Sequence, residues 1–287
     1  MKKLRPVAML LALFVVASMT SCTKEGVYTP KEKIKRVYVS STYTEKYLSQ
    51  SWNWDGKLLE SINHYSSSGT LSWTEDFTYD GKRLVRVDDF LGSEYTAYEY
   101  DGRYLKNANY YYRGNLEVTS KYEYSNGKMS KMTITNYDSK SGKMGHLESS
   151  FIPFQTEMVK ACNKCLTKLQ SNNLEKEIDV ITFQFTWDGN NVNKIVATID
   201  GDLASVTIQY DSKKNPLKGY HDLETDIEGL PVMILSSNNI TKMIATSDGE
   251  NEVLDYTYQY NSNDYPIMQI EKYPGEDYQS ITYYEYE

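Results

Sequence analysis

Few side chains in this 287-residue sequence could carry out chemistry, since it holds only three cysteines and three histidines. Cys162 and Cys165 form a C-x-x-C spacing, which could act as a redox pair or supply half of a zinc site. A zinc site needs two further ligands, and His64, His146 and His221 are not paired at ligand spacing. We therefore predict no metal and expect a local disulfide between the two cysteines, with one buried and one reduced thiol as the alternative.

Other catalytic patterns are missing from the sequence. There is no G-x-S-x-G motif, and three isolated histidines do not define a triad by their spacing. Adjacent carboxylates such as Glu75-Asp76 and Asp88-Asp89 are common on acidic proteins, and we expect them on a solvated face. The Asp-Gly turns lack the alternating oxygen ligands of a calcium loop, and no Gly-rich loop suggests a nucleotide site. The sequence thus predicts a non-catalytic protein without a cofactor.

Residues 1–21 have the features of a secretory signal peptide. A basic start precedes an apolar run over 7–18, which is too short to cross a bilayer of about 30 Å. Ser21-Cys22 follows directly, and a small residue before a cysteine at this place resembles a bacterial lipobox. The resemblance implies cleavage before Cys22 and acylation of that residue, for example by palmitate. We expect residues 22–36 to form a lipid-anchored polar tether, with an ordinary secretory signal as the alternative.

The charge of the chain favours attachment through lipid over attachment through basic residues. The formal net charge is −8, and loss of residues 1–21 would remove three further positive charges. An acidic surface disfavours nucleic acid and docking on anionic lipid. A buried acyl chain instead contributes about 0.8 kcal/mol per CH₂ group. We therefore expect membrane contact through the anchor and no nucleic-acid partner.

An internal repeat is the main organisational feature of the sequence. Its core is an aromatic residue, a polar residue and a second aromatic residue, then Asp, Ser or Asn, and usually Gly. Clear copies occupy residues 52–56, 77–81, 98–102, 122–127 and 185–189, with looser copies at 208–211, 258–261 and 284–286. We interpret Met233-Ile234-Leu235 as the aromatic positions of a further, degenerate copy.

The repeat has the pattern of a β-hairpin. Alternation with a period of two places both rings on one strand face, and Asp-Gly tolerates the positive φ of a tight turn. Because a lone hairpin is marginal in water, copies must pair side by side. The sequence thus predicts an all-β, antiparallel meander of repeated hairpins over residues 37–287.

Two apolar positions recur after each turn, as Leu59 and Ile62 do after the first. They are three residues apart, so they would lie on opposite faces of a regular strand. We expect a β-bulge, or a first residue still within the turn, to bring them to one face.

One segment between the fourth and fifth clear copies has a different period. Apolar residues at Met158, Val159, Cys162, Leu166 and Leu169 have helical spacing. We predict a single helix over about 153–171, inserted into the sheet.

The recurrent Y-D-G-K-x-L turn, as at Tyr79–Leu84, resembles the YD units of Rhs-type repeat proteins. With the lipobox and the stretch Tyr210–Leu217, the sequence is similar to Bacteroidota lipoproteins of unknown function. The similarity implies an outer-membrane lipoprotein, at the periplasmic face or the cell surface, and it supplies no catalytic residues.

The aromatic rows are the remaining functional feature, because Trp and Tyr rings stack well on sugars. Trp73 lies outside the repeat core, near Tyr65, and we predict that these two rings stack on a ligand. The leading hypothesis is a non-catalytic, lipid-anchored envelope protein that provides a binding or scaffolding surface for glycan or peptide. An envelope enzyme acting on glycan or peptide is one alternative, and an assembly component that pairs through a sheet edge is another.

Overall fold

The chain folds into a closed β-barrel. The computed structural model describes residues 25–40, 45–89, 93–137, 179–199, 202–220, 232–247, 250–272, 275 and 279–287. Within them the strands are β1 (Ile34–Ser40), β2 (Tyr47–Asp55), β3 (Leu58–Tyr65), β4 (Leu71–Asp80), β5 (Arg83–Asp89), β6 (Glu94–Asp101), β7 (Tyr104–Tyr112), β8 (Asn115–Ser125), β9 (Lys128–Asn136), β10 (Asp179–Asp188), β11 (Asn191–Ile199), β12 (Asp202–Tyr210), β13 (Ile240–Ser247), β14 (Glu250–Tyr260), β15 (Pro266–Lys272) and β16 (Gln279–Tyr286), with one short helix, α1 (Val232–Leu235).

Each strand pairs antiparallel with its neighbours in the chain, and β1 also pairs with β16. The predicted all-β, antiparallel meander of hairpins is therefore confirmed, and its two outer strands join. Because the described strands close on themselves, they offer no free edge for the predicted pairing with a partner.

The predicted helix over 153–171 lies outside the described residues. In the part of the chain that the structure describes, no helix is long and apolar enough to cross a membrane.

The turns of the repeat copies lie at one end of the barrel, which we call the turn end. It carries the connections at 56–57, 81–82, 102–103, 126–127 and 189–190, together with 211–220, 232–239 and 261–265. The opposite end, the loop end, carries the connections from β1 to β2, β3 to β4 and so on around the barrel.

A β-bulge follows each turn, as the spacing of the apolar residues predicts. In the first hairpin Asn53 pairs with Ser61 whereas Trp54 pairs with Leu59, so Glu60 is the extra residue. The bulge turns Leu59 and the later Ile62 inward together, and both are buried. The same register shift recurs at Thr78/Tyr79, Glu99/Tyr100, Glu123/Tyr124, Thr186/Trp187, Gln209/Tyr210 and Gln259/Tyr260.

The bulge also explains a hydrogen bond that ties each hairpin to the next. The ladder between β3 and β4 stops at Ser61, so the Leu59 carbonyl has no strand partner. The Tyr79 hydroxyl donates to that carbonyl at 2.8 Å, which satisfies a half-buried backbone group. Equivalent ring-to-carbonyl bonds of 2.5–2.8 Å join Trp54 to Ile34, Tyr100 to Leu84, Trp187 to Met129, Tyr210 to Val192, Tyr258 to Ile240 and Tyr286 to Pro266.

One hairpin replaces the carbonyl with a carboxylate. Glu25 accepts the Leu105 backbone N–H at 2.7 Å and the Tyr124 hydroxyl at 2.5 Å. Burial raises the pKa of Glu25, against the lowering effect of these two hydrogen bonds and of Arg83 and Arg103. The N-terminal segment is thus built into the repeat.

Two segments outside the strands fill the barrel interior at the turn end. We call them the plug: residues 25–33, and residues 211–220 and 232–239 of the β12–β13 connection. The Tyr28 hydroxyl donates to the Pro216 carbonyl at 2.8 Å, and the rings of Tyr28 and Tyr220 meet edge to face at 5.4 Å. Both tyrosines are buried. The plug therefore closes this end of the barrel.

The plug differs from two sequence interpretations. The sequence predicts a polar tether over residues 22–36, but from Glu25 onward the chain packs against the barrel and β1 begins at Ile34. The degenerate repeat copy is wrong: Ile234 lies in α1, and Ile240 pairs directly with Tyr210 as the return strand of that hairpin. The long insertion between β12 and β13 has a sequence pattern that resembles a repeat copy.

The wall of the barrel is mostly apolar on its inner face and mostly polar on its outer face. Along β4, Phe77 and Tyr79 point inward, whereas Asp76, Thr78 and Asp80 point outward and are exposed. Most other strands repeat this alternation, for example with outward Lys121 and Glu123 on β8, although Val180 on β10 and Leu203 on β12 are apolar and exposed on the outer face. Strands that contact lipid carry the opposite pattern, apolar outward and polar inward.

A substitution at Gly26 tests how closely the plug packs against the barrel wall. Its φ is 78°, and a Cβ there would overlap the Tyr100 ring. We expect Gly26→Ala to lower the free energy of unfolding in urea by about 1–3 kcal/mol beyond the strain of a positive φ. Gly69→Ala is the control, because Gly69 has a φ of 80° with nothing near its Cβ. Equal losses in the two variants would show that the plug does not pack as described.

The ring-to-carbonyl bonds predict unfolding at alkaline pH. Burial raises the pKa of the donor tyrosines Tyr79, Tyr100, Tyr210, Tyr258 and Tyr286. An unfolded tyrosine loses its proton near pH 10, so above that pH the unfolded state binds fewer protons than the folded state. The contribution of these tyrosines to the free energy of unfolding should be constant below about pH 10 and then fall by about 1.4 kcal/mol per pH unit for each of them. Urea unfolding at several pH values measures this; full phenolate absorbance near pH 10 in folded protein would contradict it.

Candidate functional site: a buried polar cluster beside Trp73

The barrel interior is divided into two arcs of different chemistry. On β9 to β14 every buried side chain is apolar, for example Ile134, Phe183 and Leu254. The remaining strands, except β7, carry buried polar side chains as well, and we call that side the polar arc. Its members are Ser40, Gln50, His64, Glu75, Asp89, Thr96, Ser120, Gln269, Glu271 and Thr282.

The best-connected part of the polar arc is a chain of hydrogen bonds across β2, β3 and β4, which we call the polar cluster. The Trp52 indole donates to Gln50 Oε1 at 3.1 Å, and Gln50 Nε2 lies 3.5 Å from His64 Nδ1. His64 Nε2 lies 3.0 Å from Glu75 Oε1. The Tyr220 hydroxyl of the plug donates to Glu75 Oε2 at 3.3 Å. Each polar side chain in this cluster therefore has a hydrogen-bond partner, as burial requires.

Trp73 forms the side of the polar cluster toward the loop end. Its ring stacks on His64 with centroids 3.8 Å apart and planes 6° apart. Trp73 is half-buried, whereas His64 is 7% exposed and Glu75 is 1% exposed. The imidazole is fixed by hydrogen bonds on both nitrogens, so it holds the indole in one orientation.

The two rings predicted to stack on a ligand lie on opposite faces of the wall. Trp73 pairs with His64 across β3 and β4 and points inward. Tyr65 points outward, and its hydroxyl lies 3.1 Å from Ser51 Oγ. The structure does not bring them together, and ligand binding by either ring stays a prediction.

The other predicted site residues, Cys22, Cys162 and Cys165, lie outside the described residues. Within the described ranges no cluster of three or more His, Cys, Asp and Glu side chains could hold a metal ion.

The sequence interpretation of the acidic pairs was wrong for one member of each. Glu75 and Asp89 are buried, whereas Asp76 is exposed. The reason is the period of the strand, which sends neighbouring side chains to opposite faces. Continuing the ring-polar-ring alternation two residues upstream from Phe77 would have placed Glu75 inside. The same extension from Trp52 reaches Gln50.

Glu75 is expected to hold the polar cluster together. Glu75→Ala leaves His64 Nε2 and the Tyr220 hydroxyl without their buried partner, so we expect the free energy of unfolding to fall by about 3 kcal/mol. Asp76→Ala, one residue along on the outer face, should change it by less than about 0.5 kcal/mol. Urea unfolding compares the two variants, and equal effects would contradict the assignment.

Comparison with known proteins supports the fold and goes no further. No protein-family model matches the chain, and no curated protein matches it. A crystallised porin-like protein from Bacteroides uniformis ATCC 8492 is similar at a TM-score of 0.55 and 12% identity, over 92% of this chain and all of that chain. A second, from Bacteroides vulgatus ATCC 8482, has a TM-score of 0.51 and 8% identity over 90% and 99% of the two chains. At these identities the similarity is one of fold alone.

Proposed function

We propose that this chain is a non-catalytic protein of the cell envelope that binds a glycan at the loop end of its barrel. Trp73 is the stacking ring, and the polar cluster holds that ring from the interior of the barrel. The attachment is a lipid anchor on Cys22. The polar arc carries the proposal, because the fold itself does not require it.

Strands β9 to β14 show that an apolar lining suits this barrel. Buried charges cost free energy, and replacing a buried ion pair by apolar residues of similar size is often neutral or stabilising. A lining that buries His64, Glu75, Asp89 and Glu271 therefore lowers the stability of the barrel, and the requirements of the fold do not explain it. We attribute this lining to the orientation of Trp73, whose indole it holds through His64.

Trp73 has the features of a preorganised stacking surface. One face of the indole lies on His64, and the half-buried side chain leaves part of the ring accessible. A ring held by a buried imidazole loses little conformational entropy when a ligand stacks on it. Leu71, which precedes it on the same strand, is 52% exposed.

The architecture favours a binding protein over a channel. Among the described residues the plug fills the turn end, which favours ligand access from the loop end. The outer wall is mostly polar along its strands, which suits a barrel that stands in water beside a membrane and is held by an acyl chain. The predicted signal peptide and the Bacteroides origin of the similar structures support a place in the cell envelope.

A glycan array on the mature protein tests the proposal. We expect binding of at least one glycan, and at least a tenfold loss of affinity in Trp73→Ala, about 1.4 kcal/mol, from the lost ring stacking. Tyr65→Ala is the matched control on the outer face and should bind normally. The bound glycan should be recovered intact, whereas cleavage would indicate an enzyme.

The array also carries peptides, so the experiment distinguishes a glycan ligand from a peptide ligand. Binding of peptides alone, or equal binding by Trp73→Ala and wild-type protein, would contradict the proposal. Circular dichroism of each variant verifies that a loss of binding is not a loss of fold.

A further inference from the structure

The turn end carries the N-terminal segment, and this fixes where an anchor would hold the barrel. The Glu25 backbone N–H donates to the Arg103 carbonyl at 3.0 Å, and the Leu84 N–H donates to the Gly26 carbonyl at 2.8 Å. Together with the Glu25 carboxylate, these bonds join the segment to β5, β7 and β8 beside their turns. The first described residue is therefore part of the turn end.

Only Thr23 and Lys24 separate Cys22 from Glu25. An extended chain spans at most about 3.6 Å per residue, so the Cα of Cys22 lies within roughly 11 Å of that of Glu25. The strands are longer than this reach: the eight residues of β3 extend about 26 Å at 3.3 Å per residue. An acyl chain on Cys22 could not bring the loop end to a bilayer while the turn end stood away from it.

The described hairpin turns at the turn end are less acidic than the chain as a whole. They expose Lys57, Lys82 and Arg103 at their tips, and Lys214 adds another exposed cation from the plug. These four cations match the four exposed carboxylates of Asp55, Asp80, Asp101 and Asp188, so the described turns are close to neutral, whereas the full chain carries −8. Anionic lipid would therefore repel these turns little.

From these observations we propose that the turn end of the barrel faces a phospholipid surface and the loop end points away from it. The inference rests on the proposed lipid anchor and adds an orientation. It places Trp73 and the polar arc on the side remote from the bilayer, where an extended glycan can reach them.

Two labels at opposite ends of β3 test the orientation. Full-length protein is purified from bacterial membranes as Cys162→Ser/Cys165→Ser, with Lys57→Cys at the turn end or Ser68→Cys at the loop end. Both positions are exposed. Each spin-labelled protein is reconstituted in vesicles of phosphatidylcholine and phosphatidylglycerol with a nickel-chelating lipid. We expect several-fold stronger relaxation by the surface nickel at position 57, while equal signals, or a stronger signal at position 68, would overturn the orientation.

A second measurement needs no substitution in the barrel. Lysine acetylation of wild-type protein on vesicles, read by mass spectrometry, should be reduced at Lys57 and Lys82 but not at Lys46, at the loop end, relative to a soluble Cys22→Ala protein. Protection at Lys46 instead would overturn the orientation. The same spectra give the state of Cys22: an unmodified Cys22 removes the anchor and the inference with it, whereas an acylated Cys22 with unprotected turn-end lysines removes the orientation alone.

Discussion

The barrel depends on one recurrent hydrogen bond, from a ring at the end of one strand to a carbonyl left open by the bulge on the strand before it. Leu59 shows why the bond is needed. The bulge at Glu60 turns Leu59 into the core, but it also ends the ladder to the next hairpin at Ser61. The Tyr79 hydroxyl then satisfies the exposed carbonyl. A bond of this kind is worth about 1 kcal/mol, and repetition around the barrel makes the sum substantial.

The same requirement explains the choice of residues. A tyrosine or tryptophan can bury its ring and still present a donor at the far edge, which phenylalanine cannot do. The second ring of each clear copy is indeed Trp or Tyr, whereas the first ring is Phe in two copies. Tyr124 keeps its donor even where Glu25 takes the place of the carbonyl. The hairpins are therefore linked by chemistry as well as by burial.

The features that recur in every hairpin could be predicted from the sequence, whereas the features that occur once could not. The spacing of Leu59 and Ile62 indicated the bulge, and Asp-Gly indicated the turns. Closure of the barrel depends on β1, whose residues carry no ring-polar-ring signature, and on its pairing with β16 at the far end of the chain. The plug depends on Tyr28 and Tyr220, single rings in segments of polar composition, and a single buried ring has no period to detect.

The polar cluster was concealed for a different reason. Its positions follow the same alternation as the rings, so their inward direction was available from the sequence. Their chemistry argued the other way, since Gln50 and Glu75 are residue types that are mostly exposed. Only partners from other strands and from the plug make their burial tolerable, and those partners are as far apart in sequence as Glu75 and Tyr220. The alternation of residues along a strand predicts which way a side chain points. Whether a buried polar group finds a hydrogen-bond partner depends on the whole assembled barrel.

The cluster and the plug are in turn one continuous body. Trp73 stacks on His64, His64 bonds to Glu75, Glu75 accepts from Tyr220, and Tyr220 packs on Tyr28 of the N-terminal segment. Such contact does not by itself transmit a signal, which would need an element with two arrangements. Its mechanical consequence is direct: the stacking ring is braced through buried groups to the end of the barrel where the N-terminal segment is bound. A platform supported in this way keeps its geometry at a fixed distance from that end, which is what a binding surface displayed from an anchor requires.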